Sequence, residues 1–152
     1  MFQVLYQYNK EKSMLIEDVK KTLYNILTQD LGYTVVDNSS EENNCPWIRL
    51  RTSNLYRQPF KNNEYEYNIT YTLDIFSEYD GEHEILEMDK EIFEKMPKMY
   101  ELDCITNISG SNLKIIDDKS TGVIKKHGIL SYTFSIMFKT KEVEDETDTS
   151  GE

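Results

Sequence analysis

Residues 64–97 read EYEYNITYTLDIFSEYDGEHEILEMDKEIFEKMP, and two different periods meet inside this one stretch. In its first half Tyr65, Tyr67, Ile69, Tyr71, Leu73 and Ile75 alternate with Glu66, Asn68, Thr70, Thr72 and Asp74. Side chains of a strand point alternately to opposite faces, so the run predicts a long strand with one buried face and one wet face. Its β-branched and aromatic residues suit a pleated, half-buried surface. The alternation stops at Phe76, and Ser77-Glu78-Tyr79-Asp80-Gly81 has the chemistry of a turn. Beyond it Ile85, Met88, Ile92 and Met96 recur at three and four, with Leu86 and Phe93 widening the stripe. That spacing predicts an amphipathic helix. Asp80 is its expected N-cap, Glu82 and Glu84 put negative charge in the first turn, and Pro97 is the expected stop. The unit is a long strand handing directly to a helix that lies back on its apolar face.

Upstream, Ser13 is a good N-cap, and Leu15, Val19, Leu23, Ile26 or Leu27, and Leu31 follow at helical spacing. Glu17, Lys20, Lys21 and Gln29 form the opposite face, and Gly32 is the expected end of a helix over 14–31. Tyr33, Thr34, Val35 and Val36 predict a short strand, and polar residues 37–44 a loop. Pro46 then opens a strand over 47–51, a position that needs no ladder donor. Residues 52–63 show no period and predict a long connection, a place where function or mobility concentrates. Downstream, the apolar runs 102–108 and 113–116 are split by Ser109-Gly110-Ser111-Asn112, which predicts a turn between two strands. Residues 117–127, with Gly122 and the basic triplet Lys125-Lys126-His127, predict a second polar connection. In the last strand Leu130, Tyr132, Phe134, Ile136 and Phe138 alternate against Ser131, Thr133, Ser135 and Met137.

The order is α-β-β-β-α-β-β-β. The economical packing is an α+β fold, a mainly antiparallel sheet with two helices on one face, in a single domain over 14–140. Residues 1–13 form an N-terminal arm; its alternating Phe2, Val4, Tyr6 and Tyr8 fit a short strand, an ordered arm or a lead into the helix. Residues 141–152 hold six acids and one lysine, net −5, leaving −11 − (−5) = −6 on the rest. Such an acidic, core-free tail is expected to be disordered.

At 152 residues the chain can bury roughly 68–70% of its unfolded surface, enough for one real core. The formal charge of −11 argues against binding nucleic acid through its phosphates, which takes clustered Lys and Arg. No apolar run is long enough for a membrane span, and the first residues lack the features of a signal peptide. These features point to a protein made and kept in a reducing cytoplasm. Cys45 and Cys104, 104 − 45 = 59 positions apart and without a CxxC context, read as buried free thiols, with a disulfide left open. His83 sits in an acidic first helical turn with no second histidine nearby, and His127 reads as part of a solvated turn, so no metal site is expected. No nucleophile elbow, phosphate loop or zinc motif occurs. Trp47 and the tyrosines read as core and interface. The residues by themselves indicate an acidic, non-enzymatic domain without catalytic residues, metal or cofactor.

The order of landmarks adds a resemblance. A helix leads to the short strand at Tyr33–Asn38, then to Cys45-Pro46-Trp47-Ile48-Arg49-Leu50. The long strand ends Leu73-Asp74-Ile75-Phe76-Ser77 and runs through Tyr79-Asp80-Gly81 into a helix. A final strand follows Lys126-His127-Gly128-Ile129-Leu130. Over residues 14–139 the chain resembles the tail-terminator, or tail-completion, proteins of long-tailed bacteriophages. The resemblance implies a homo-oligomeric ring, typically a hexamer, at the tail-neck junction of the virion, assembled in the bacterial host cytoplasm. Its partners would be the tail tube protein and a head-neck connector protein. DNA would pass through without sequence-specific binding, and neither membrane, catalysis nor cofactor would be involved. Six copies would carry 6 × −11 = −66 formal charges, an acidic conduit in which DNA slides instead of sticking. Tyr56, Arg57 and Phe60 in the first long connection, and Lys125 and Lys126 in the second, are the candidate partner contacts. The charge also fits a different reading, a small acidic regulatory protein that occupies a basic partner surface.

Overall fold

A computed structural model describes residues 16–36, 45–58, 64–119, 122 and 125–139. The expected N-terminal arm 1–13 and acidic tail 141–152 lie outside the described residues. Helix α1 (16–25) widens into a π-helical turn, Ile26–Asp30, in which the Leu31 amide donates to the Ile26 carbonyl at 3.1 Å. The wider turn changes the helical phase, and both Ile26 and Leu27 enter the core. Gly32 then turns the chain at φ +74°, and the Tyr33 amide closes back on the Leu27 carbonyl at 2.9 Å. A side chain at that φ would be strained.

The strands are β1 (Thr34–Val36), β2 (Trp47–Arg57), β3 (Glu64–Ser77), β4 (Ile105–Gly110), β5 (Lys114–Asp118) and β6 (Lys125–Lys139). Helix α2 (His83–Lys95) and a 3₁₀ turn (Met96–Glu101) stand between β3 and β4. The sheet order is β1-β2-β3-β6-β4, with β5 also on β6. Only β1 and β2 pair parallel; every other pair is antiparallel. The long alternating strand and the last strand are therefore central neighbours. Tyr67, Ile69, Tyr71, Leu73 and Ile75 of β3 share one buried face with Leu130, Tyr132, Phe134 and Ile136 of β6 and with Ile48 and Leu50 of β2. Val19 and Leu23 of α1, Ile85, Met88 and Ile92 of α2, and Met96 and Met99 of the 3₁₀ turn complete the same core. The fold is α+β, a two-layer domain with both helices on one face of an open, mainly antiparallel sheet. At Gly128 the helix layer rests on bare backbone: a Cβ there would lie 2.7 Å from Ile85 Cγ2.

Several expectations are corrected. The alternation stops at Phe76 but β3 itself runs to Ser77, and Phe76 faces away from the helices. The expected connection 52–63 begins with strand: β2 continues to Arg57, paired to Tyr67. A register shift between Thr52 and Asn54 inserts a bulge that erases the period-two pattern. The Ser109–Asn112 segment is not a turn between paired strands. β4 pairs with residues 132–136 of β6 and β5 with 125–129, in the same direction, so the two form one interrupted edge. Ser111 bridges the gap: its amide donates to the Ser131 carbonyl (2.8 Å) and its Oγ accepts from the Ser131 amide (2.9 Å). The expected connection 117–127 is likewise a hairpin in which Asp117 pairs with Lys126 and Asp118 with Lys125. Helix α2 starts at His83 after Glu82, not after Asp80, and leaves Glu84 as the acid of its first turn. Ser77 holds that start by donating its hydroxyl to Glu84 at 2.6 Å. Leu86 and Phe93 are exposed, so the buried stripe is narrower than the sequence implies. Pro97 enters the first turn of the 3₁₀ segment, where a missing amide costs nothing, instead of ending all helical structure.

Candidate functional site

The sheet face away from the helices carries the chemistry. At one end Trp47, Phe76 and His127 occupy one row across β2, β3 and β6. Their rings stack at 4.2 Å and 4.4 Å between centroids. Beside them Asp74 is only 1% exposed. Its Oδ2 accepts from Arg49 Nη2 at 3.0 Å and from Arg51 Nε at 2.8 Å, and its Oδ1 lies 2.9 Å from His127 Nε2. Burial alone would push this carboxyl up, but the hydrogen bonds from His127, Arg51 and Arg49 outweigh it and hold Asp74 well below the usual carboxylate range. His127 is therefore not in a solvated turn: β6 starts two residues before it and places its ring in the row.

Farther along, the same face is a neutral array of hydroxyls bonded to one another. Thr70 and Thr133 meet at 2.8 Å, Thr72 and Ser131 at 3.0 Å, and Thr72 donates to Ser53 at 2.9 Å. Ser135 donates to Asn68 at 2.8 Å. Such hydroxyl pairs stabilise neighbouring strands.

The edges of the sheet are the second feature. β1 covers β2 only from Trp47 to Arg49. Past that point no strand among the described residues lies on the outer side of β2, and residues 51–57 are exposed. On the opposite edge, the outer side of β4 pairs with no strand among the described residues, and Tyr100 Oη accepts the Ile108 amide there at 3.1 Å. Above it Phe93, Met96, Pro97, Tyr100, Ile108 and Tyr132 line an apolar groove of about 170 Å³.

Tyr56 and Arg57 stand exposed on the β2 edge, while Phe60 lies outside the described residues. Lys126 is tied to Asp117 at 2.6 Å and Lys125 lies 3.9 Å from Glu78. The fold does not bring the two groups together. Arg57 is level with Ile136 and Lys126 with Ser77, ten residues apart along β6, or about 33 Å at strand rise. His83 is exposed and 3.5 Å from Glu87. Cys45 and Cys104 are half-buried free thiols, both pushed up chiefly by burial. Among the described residues no three His, Cys, Asp or Glu side chains gather as a metal site. No helix there is long and apolar enough to cross a membrane. The groove went unread because Phe93 fits a buried stripe by spacing, and only the fold shows it uncovered. The sequence matches no protein-family model, and no curated protein matches it.

Proposed function

We propose that this chain is a structural ring protein of the tail-terminator kind, ending a phage tail tube and offering the surface on which the head docks. The observation that carries the reading is the sheet with one face under helices, one bare polar face, and two edges open among the described residues. Open edges are templates for further pairing, and a heterologous contact that closes makes a ring without leaving any edge free. In such a ring the helices would form the outside and the hydroxyl array the lining.

This refines the expected conduit. Acids gather on α2, where Glu84, Glu87, Asp89, Glu91 and Glu94 stand against Lys90 and Lys95. On the bare face Asp74 is matched by Arg49 and Arg51. The hydroxyl groups carry no charge, and the two arginines beside them are held by Asp74, so such a lining offers DNA phosphates little to grip.

The test is tail length, by electron microscopy, in lysates lacking this protein. Overlong tails of variable length, separate from DNA-filled heads, are expected. Complete particles of normal length would overturn the reading and turn attention to the acidic regulatory alternative. Tails of normal length that fail to join heads would keep the protein in the neck but deny it length control.

A further inference from the structure

Resting on the ring reading, we infer that residues 52–57 on the outer edge of β2 join β4 of a second copy, with Leu55 seated in the groove between Phe93, Tyr100 and Ile108. Four strands lie side by side in the order β2, β3, β6, β4, each antiparallel to the next. The two edge strands therefore run in opposite directions. Copies related by rotation about an axis along the strands meet β4 to β2 as an antiparallel pair, which extends the ladder already present.

The rows match as well. Leu55 pairs with Ile69, Ile69 with Phe134, and Phe134 with Ile108. The exposed part of β2 and the groove thus stand at the same height on opposite edges. Paired residues share a face, so Leu55 lies on the helix side with the buried Ile69, as the groove does. Yet no helix among the described residues covers Leu55, which is 39% exposed. On a neighbour's edge the same side chain would meet Phe93 and Tyr100, both exposed, and the half-buried Ile108. The chain carries both halves of one contact, and this makes a second copy the fitting occupant.

Charge agrees. Residues 52–57 hold Arg57 and no acid, while residues 101–104, leading into β4, hold Glu101 and Asp103 and no cation. The row of Arg57 runs through Tyr67 and Ile136 to Ile105, two residues from Asp103. Tyr100 has a part too. Its hydroxyl keeps the Ile108 amide occupied on the free edge, and a carbonyl of the arriving strand replaces it.

Two full-length variants test the joint by native mass spectrometry: Leu55→Asp, which spoils the strand, and Phe93→Asp, which spoils the groove. Both positions are exposed, and the milder pair Leu55→Ser and Phe93→Ser repeats the test. The wild type is expected as a closed ring and each variant as an 18.0 kDa monomer. An equimolar mixture of the two has one intact joint and is expected to stop at a heterodimer of 2 × 18.0 kDa. A ring that survives both substitutions overturns the inference and leaves the ring reading standing. Monomeric variants whose mixture never pairs also overturn it, because the two residues are then not halves of one contact. A wild type that stays monomeric at every concentration overturns the ring reading and this inference together.

Discussion

His127 Nε2 lies 2.9 Å from Asp74 Oδ1, while the His127 ring stacks on Phe76, the next-but-one residue of the same strand. One histidine thus ties a carboxylate and an aromatic row to β6. With Arg49 and Arg51 on its other oxygen, Asp74 becomes the most deeply buried charge among the described residues, on the face that lacks helices.

Removing that carboxylate strands three donors. Asp74→Ala is expected to lower stability by about 3 kcal/mol, the usual cost of breaking a buried ion pair, read from urea denaturation. The pH dependence has a definite sign. The folded carboxyl titrates below its unfolded value of about 3.9. Its stabilisation is therefore fully present above that value and is lost as pH falls through it toward the lower folded value. The wild type should lose stability below about pH 4 more steeply than Asp74→Asn. Parallel acid profiles for the two would refute the assignment.

Tyr71 is wholly buried, and its hydroxyl has no hydrogen-bond partner among the described residues. A buried unpaired hydroxyl is a net cost, so Tyr71→Phe is expected to raise stability by about 1 kcal/mol. A lower melting temperature for the phenylalanine variant would mean that the hydroxyl is satisfied after all.

Gly128 and Ile85 form a contact that only a glycine permits, with 2.7 Å between a built Cβ and Ile85 Cγ2. Gly128→Ala is expected to cost about 1–3 kcal/mol through overpacking. The cost should shrink in an Ile85→Ala background, where the clashing methyl is gone. Strictly additive effects in that double-mutant cycle would rule the contact out as the cause.

Arg57 is exposed at the end of β2 and contributes nothing to the core. On the tail-terminator reading proposed above, Arg57→Glu is expected to leave the melting temperature unchanged and to abolish head-tail joining in a complementation assay. Full plaque yield with the variant would remove Arg57 from the working surface.

The core was legible because its periods are long and uninterrupted: Tyr67 to Ile75 and Leu130 to Ile136 alternate without a fault, and Val19, Leu23 and Leu27 keep helical spacing. The outer half of β2 was not, since one bulge beside Ser53 shifts every later side chain to the other face. Nor were the edges. Ser109 to Asn112 has turn chemistry, and only pairing with β6 shows a strand resuming on the same line. Asp74 sits on the polar phase of its strand, so alternation marks it as wet; its burial depends on Arg49, Arg51 and His127, which lie 25, 23 and 53 residues away.

β3 and β6 face each other over fourteen consecutive residue pairs at the centre of the sheet. A pull directed along the strands cannot peel this pair open one rung at a time; it must shear all the rungs together. Mechanical resistance of that kind depends on the length of the overlap more than on the strength of any single bond. Tension applied at the far ends of these two strands would be borne by the whole overlap.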